Sequence, residues 1–141
     1  MLEAYPKQVK LVFKQFPLSF HIYARPAALA TLAAARQGKF WEMHDMIFQN
    51  QAKLGDAQGK PRFSEFAREI GLNMAKYEKD LKDPSLEAAL VKDAKDAADA
   101  RVTGTPTLYV NGKKVYDRSF PGLKKMIDAA LGSAPAAPST K

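Results

Sequence analysis

The sequence predicts an α/β domain with a small sheet, on three observations. Val9-Lys10-Leu11-Val12-Phe13-Lys14-Gln15-Phe16 is rich in β-branched and aromatic residues and lies between Pro6 and Pro17, which reads as a strand. From Pro26 to about Arg101 the apolar residues recur at helical spacing. Asn111-Gly112 then separates two short apolar runs, the strongest local signal for a hairpin, and a last helix follows. Strand, several helices, hairpin and helix, in that order, fit one domain built on a small sheet.

Pro26 suits a first helical turn, Ala27 to Arg36 are strong helix formers, and Gly38 suits the C-terminal cap. Phe40, Trp41, Met43, Ile47 and Phe48 continue the helical period to Gln51. Residues 55–61 are a polar loop. Ser64 opens a short helix that ends at Gly71, and Asn73 caps another that runs to about Lys82. Asp83-Pro84-Ser85 is a break with a new cap. Residues 86–101 predict an amphipathic helix with Leu86, Leu90, Ala94, Ala97 and Ala98 on its core face. Strands are expected at about 107–110 and 113–117. Leu123, Met126, Ile127, Ala130 and Leu131 mark the last helix, stopped by Gly132, and residues 133–141 read as a disordered tail or linker.

Composition narrows the chemistry. The chain has 141 residues, a net charge of +7 and no cysteine, and a sequence pI near 9.6. No apolar run approaches the ~20 residues needed to span a bilayer, and the N-terminus shows no signal peptide. The basic residues are interleaved with acids, as in Lys92-Asp93-Ala94-Lys95-Asp96, and not clustered on one face, so no nucleic-acid partner and no membrane partner is expected. Without cysteine there is no disulfide, no thiolate metal site and no cysteine nucleophile in this chain. Two histidines 23 positions apart, His21 and His44, make a poor zinc set. His44 reads as a structural histidine packed near Trp41. Glu42, Asp45 and Glu65 have no spacing that places two in one cleft, and no glycine-rich phosphate loop is present. No cofactor and no metal is expected.

The most distinctive stretch is Val102-Thr103-Gly104-Thr105-Pro106-Thr107-Leu108-Tyr109-Val110-Asn111-Gly112-Lys113. A proline just before a strand cannot donate to the sheet and marks a special local geometry, of which a cis X-Pro bond is one. This stretch resembles the cis-proline loop of DsbA-like thiol-disulfide oxidoreductases, which have a thioredoxin-like fold with an inserted helical subdomain. Four other stretches support the resemblance in order: Tyr5-Pro6 with Val9 to Phe13, Phe16-Pro17-Leu18-Ser19-Phe20-His21, Gln37-Gly38-Lys39-Phe40-Trp41-Glu42-Met43-His44-Asp45, and Asp80-Leu81 with Val91 and Asp93.

The resemblance implies a domain over residues 1–132 with a helical insertion at about 24–101, and an exported or periplasmic setting. It implies that Thr105 and Pro106 bind an extended peptide substrate. His21 ends the loop after the first strand, the end that faces the functional side of a parallel sheet, and reads either as a site-adjacent residue or, the favoured reading, as a surface or helix-start histidine. The resemblance implies no catalytic residue here, since the family's Cys-x-x-Cys, the strand before it and most of the first helix have no counterpart. The expected activity is thiol-disulfide exchange, with this chain redox-inactive as it stands. The alternative is a non-catalytic module that binds peptides or drives assembly. A sheet lacking its central first strand exposes two rows of unpaired backbone groups, so a homodimer or a strand-exchanged assembly is expected.

Overall fold

The structure, a computed structural model, describes residues 2–132. The expected tail at 133–141 lies outside the described residues. The elements are α1 (Ala24–Ala35), α2 (Phe40–Gln49), α3 (Phe63–Glu69), α4 (Met74–Leu81), α5 (Pro84–Asp99), β1 (Tyr109–Val110), β2 (Lys113–Lys114) and α6 (Phe120–Gly132), with single 3-10 turns at Leu2–Ala4 and Gln51–Lys53. They form two compact units. One holds Lys14–Thr103; the other joins, among the described residues, 2–13 to 104–132.

The helical unit is organised around α1, which touches α2, α3, α4 and α5. Its sequence explains that central place. Ala28, Ala30, Ala33 and Ala34 are all buried, and side chains this small let neighbouring helices approach closely. The helix then closes in a tight C-terminal turn. Gly38 N–H donates to Ala35 O (3.0 Å) and Lys39 N–H to Ala34 O (3.0 Å), with Gly38 at φ +71°. This left-handed conformation is cheap for glycine and turns the chain back into α2. Met43 and Ile47 of α2, Phe63, Phe66 and Ala67 of α3, Tyr77 of α4 and Leu86 of α5 complete the core.

Local capping sets the later helix starts. The Asn73 side chain accepts from Lys76 N–H (2.9 Å) at the head of α4. Asp83 accepts from Ser85 N–H (2.9 Å) at the head of α5, beside Pro84. The few buried polar groups are paired. Gln15 Nε2 donates to Thr31 Oγ1 (2.8 Å), which donates to Ala28 O (2.8 Å). Asp80 accepts from Arg36 (3.0 Å) and Lys76 (2.6 Å).

Three expectations are corrected. Residues 9–18 form neither helix nor strand. The sole ladder among the described residues is the antiparallel pair β1–β2, with Tyr109 opposite Lys114 and Val110 opposite Lys113. A β-rich sequence becomes a strand only when a neighbouring strand completes its ladder, and no ladder includes these residues among those described. The hairpin is also shorter than expected, since β2 ends at Lys114. The third correction concerns α5. Leu86 and Leu90 are buried, but Ala94 and Ala98 are exposed and Val91 is 63% exposed. The later part of that helix is held by charge: Lys14 Nζ donates to Asp96 (2.6 Å) and Asp93 (3.2 Å), and Lys92 to Asp96 (2.9 Å).

These contacts make the helical unit acid-sensitive. The Lys14 and Lys92 ammonium groups hold the Asp96 carboxyl down at about 2. The Ser85 backbone N–H, with Arg36, holds Asp83 at about 2. Both lie below the ordinary carboxylate value of 3.8, so the folded state binds fewer protons than the unfolded chain. Their stabilisation is therefore complete above about pH 4 and is lost as pH falls towards 2. The urea midpoint followed by far-UV circular dichroism should be flat from pH 7 to 5 and fall between pH 4 and 2. A midpoint unchanged at pH 2 would show that neither contact supports the fold.

Candidate substrate-docking site

The candidate site begins where α5 ends. Val102 N–H donates back to Ala97 O (2.8 Å) and Arg101 N–H to Ala98 O (2.9 Å), the closure seen after α1, here with Arg101 in the left-handed region at φ +54°. From Gly104 the chain belongs to the second unit. Thr107 Oγ1 donates to Gly104 O (2.7 Å), which folds residues 104–107 into a tight loop. The Thr105–Pro106 peptide inside it is cis. Arg118 Nη1 donates to Pro106 O (2.8 Å) and so ties the loop to the segment after the hairpin. Val115 N–H donates to Leu108 O (2.8 Å) and continues the pairing beyond β2.

The loop is braced by these hydrogen bonds and leads into a tight turn. Asn111 (φ +46°) and Gly112 (φ +77°) are both left-handed, the geometry of a two-residue hairpin turn matched to strand twist. Val115 and Ile127 of the same unit are buried, and α6 packs on β1. Tyr5 Oη donates to Asp128 Oδ1 (2.5 Å), and Lys124 Nζ to Asp128 Oδ2 (2.7 Å). The Lys124 ammonium and the Tyr5 hydroxyl hold the Asp128 carboxyl below its ordinary value. Thr105 and Pro106 are exposed. Neither the N–H nor the C=O of Thr105 makes a hydrogen bond among the described residues. An exposed donor and acceptor on one residue of a fixed loop are what an extended chain needs for backbone pairing.

A match to a known family decides what this loop belongs to. The DSBA-like thioredoxin domain matches residues 1–128. The chain belongs to that family. The crystal structure of a thioredoxin-like oxidoreductase from Silicibacter pomeroyi DSS-3 superposes with a TM-score of 0.73 and 25% identity, covering 94% of this chain and 74% of that one. The thioredoxin-like fold with its helical insertion is thereby shown, although its sheet has two strands among the described residues. Two curated relatives are sodium/proton antiporters. NhaA 3 of Salinispora tropica is 35% identical over 129 residues, 89% of this chain and 19% of that protein. NhaA of Herminiimonas arsenicoxydans is 31% identical over 98 residues, 70% of this chain and 15% of that protein. The chain thus spans less than a fifth of these relatives. Among the described residues no helix is long and apolar enough to cross a membrane.

A DsbA-like domain exchanges disulfides through a cysteine thiolate, and this chain has no cysteine. Its own side chains therefore cannot form the mixed disulfide. His21 is placed in the helical unit, where it is exposed, lies against Phe20 with the rings tilted (4.5 Å between ring centres) and starts the turn into α1. Thr105 and Pro106 lie together in the other unit. His44 sits beside Trp41 (5.3 Å) and Phe48 (4.6 Å), and its Nδ1 donates to Asp45 (2.9 Å). Among the described residues no three His, Asp or Glu side chains form a group able to hold a metal ion. Sequence reasoning missed Arg118. It lies 12 positions beyond Pro106, and nothing in its neighbourhood announces that it supports the loop.

Proposed function

We propose that this chain is a peptide-docking domain of the DsbA-like family, without redox chemistry of its own. The observation that carries the reading is Thr105, whose exposed, unpaired N–H and C=O stand beside Pro106. An extended peptide laid along the loop forms backbone hydrogen bonds with Thr105 and packs an apolar side chain on the Pro106 ring. Thiols for any exchange at this loop would come from the bound protein or from another segment or chain. The family's exported setting supports a place for this domain outside the cytoplasm. Residues 9–12 support self-association as a homodimer or strand-exchanged assembly, because they are β-rich and make no backbone hydrogen bond among the described residues.

Nuclear magnetic resonance titration with an unfolded, cysteine-free peptide tests the docking. The expected result is saturable shifts centred on residues 104–108. Thr105→Pro removes the N–H donor and should weaken binding about fivefold, the worth of roughly one net hydrogen bond. The chain should not accelerate insulin reduction by dithiothreitol. Shifts absent from the loop, or binding unaffected by the substitution, would refute the docking role. Insulin turnover by this cysteine-free chain would refute its redox inactivity.

A further inference from the structure

The positive charge of this chain is concentrated in the unit that carries the Thr105–Pro106 loop. Among the described residues that unit has seven Lys or Arg and three Asp or Glu, whereas the helical unit has fourteen and twelve. The helical unit engages its acids internally. Lys14 pairs with Asp93 (3.2 Å) and Asp96 (2.6 Å), and Arg36 with Asp80 (3.0 Å) and Asp83 (2.8 Å). In the loop's own unit, Asp128 is taken by Tyr5 (2.5 Å) and Lys124 (2.7 Å). Asp117 accepts from Ser119 N–H (3.0 Å), and Glu3 lies in the first 3-10 turn. Arg118 is exposed and has no acidic partner among the described residues. Its Nη1 donates to Pro106 O (2.8 Å), its one hydrogen bond among those residues.

A guanidinium carries five N–H donors in a planar fork. Pro106 O uses one of them, which holds the group beside the loop and leaves the other donors and an uncompensated charge open to solvent. Because that bond already orders the side chain, little further ordering is needed when an anion arrives. Lys113 and Lys114 are exposed on β2 of the same unit, outside any ion pair among the described residues, and add to the positive potential. We propose that Arg118 is a specificity-determining residue of the docking site, selecting extended peptides that carry an Asp or Glu beside the residue packed on Pro106. A carboxylate is the matching group, since its two oxygens accept two parallel N–H donors of the fork. The acid belongs to a peptide because Thr105 offers backbone pairing that a free anion cannot use. The proposal rests on the docking role of Thr105 and Pro106.

The test compares two capped, cysteine-free peptides, acetyl-Ser-Thr-Asp-Val-Asp-Thr-Ser-amide and its counterpart with Asn in place of both Asp. Amide shifts of Gly104, Thr105 and Leu108 are followed by nuclear magnetic resonance on the full chain. At low salt the Asp peptide should bind about threefold to fivefold more tightly, the upper range for an exposed ion pair. The preference should fade as salt is raised to about 0.5 M and the charges are screened. Arg118→Gln keeps an amide donor for Pro106 O. It should lower the preference below about twofold, while the Asn peptide binds as it does to the wild type. Lys125→Gln removes the same charge from an exposed position on α6 and should leave the preference intact. Equal binding of the two peptides to the wild type would overturn the proposal and leave the docking role standing, whereas binding of neither would overturn both. A preference unchanged in Arg118→Gln, or lowered equally by Lys125→Gln, would also overturn the proposal. So would loss of both peptides in Arg118→Gln, which would make Arg118 only a brace of the loop.

Discussion

Phe66→Ala should destabilise the helical unit by about 3–5 kcal/mol, the usual cost of emptying a large aromatic site in a core. Phe66 is 2% exposed. It lies at the middle of α3, a helix of only seven residues. It packs edge-on against Phe63 (6.1 Å between ring centres), and the Arg62 guanidinium lies over its ring at 5.6 Å. So short a helix has little stability of its own, and its contacts with α1, α2 and α4 depend on this side chain. Since a domain of this size is stable by only about 5–15 kcal/mol, the loss is a large share of the total. Trp41, the single tryptophan, is on α2 in the same unit and reports unfolding by fluorescence. With a urea slope of about 1–2 kcal/mol per molar, the midpoint should fall by about 2 M. Phe66→Leu keeps most of the volume and should lose about 1.5 kcal/mol or less. A Phe66→Ala midpoint within 0.5 M of the wild type would show that the packing around α3 is not what holds this unit.

Much of this fold is legible in the sequence because its signals are local. Asn73 and Asp83 cap the helices that follow them, Gly38 and Gly112 adopt the left-handed conformations that their positions require, and the Thr-Pro loop precedes its hairpin. Each of these involves residues within a few positions of one another. What sequence reading missed depends on distant partners. Residues 9–16 have strand composition but no ladder, because strand formation needs a neighbour that composition cannot name. The exposed later half of α5 carries an apolar pattern, but its anchor is Lys14, 82 positions from Asp96. Tyr5 and Asp128 are 123 positions apart. Thr105 and Pro106 were legible as a loop. Arg118, which fixes their backbone, carries no local signal.

Val12→Lys should abolish the self-association proposed for this chain and leave a species of 15.5 kDa, the mass of a single copy. Leu11 is 50% and Val12 62% exposed, and residues 9–12 make no backbone hydrogen bond among the described residues. An apolar, β-rich segment with unpaired N–H and C=O groups is a template for another strand, and the nearest source at high concentration is a second copy of the same segment. Pairing would satisfy the backbone groups and bury Leu11 and Val12 together. A lysine on an edge strand opposes this in two ways, because its charge is costly to bury and two copies place like charges opposite each other. Sedimentation equilibrium should give a mass well above 15.5 kDa for the wild type and a dissociation constant raised at least a hundredfold in Val12→Lys, with far-UV circular dichroism unchanged. Leu2, at 45% exposure, lies in the 3-10 turn outside this segment, so Leu2→Lys should leave the assembly intact. A wild type that sediments as one copy at every concentration would exclude pairing through residues 9–12. An assembly that survives Val12→Lys would place the contact elsewhere.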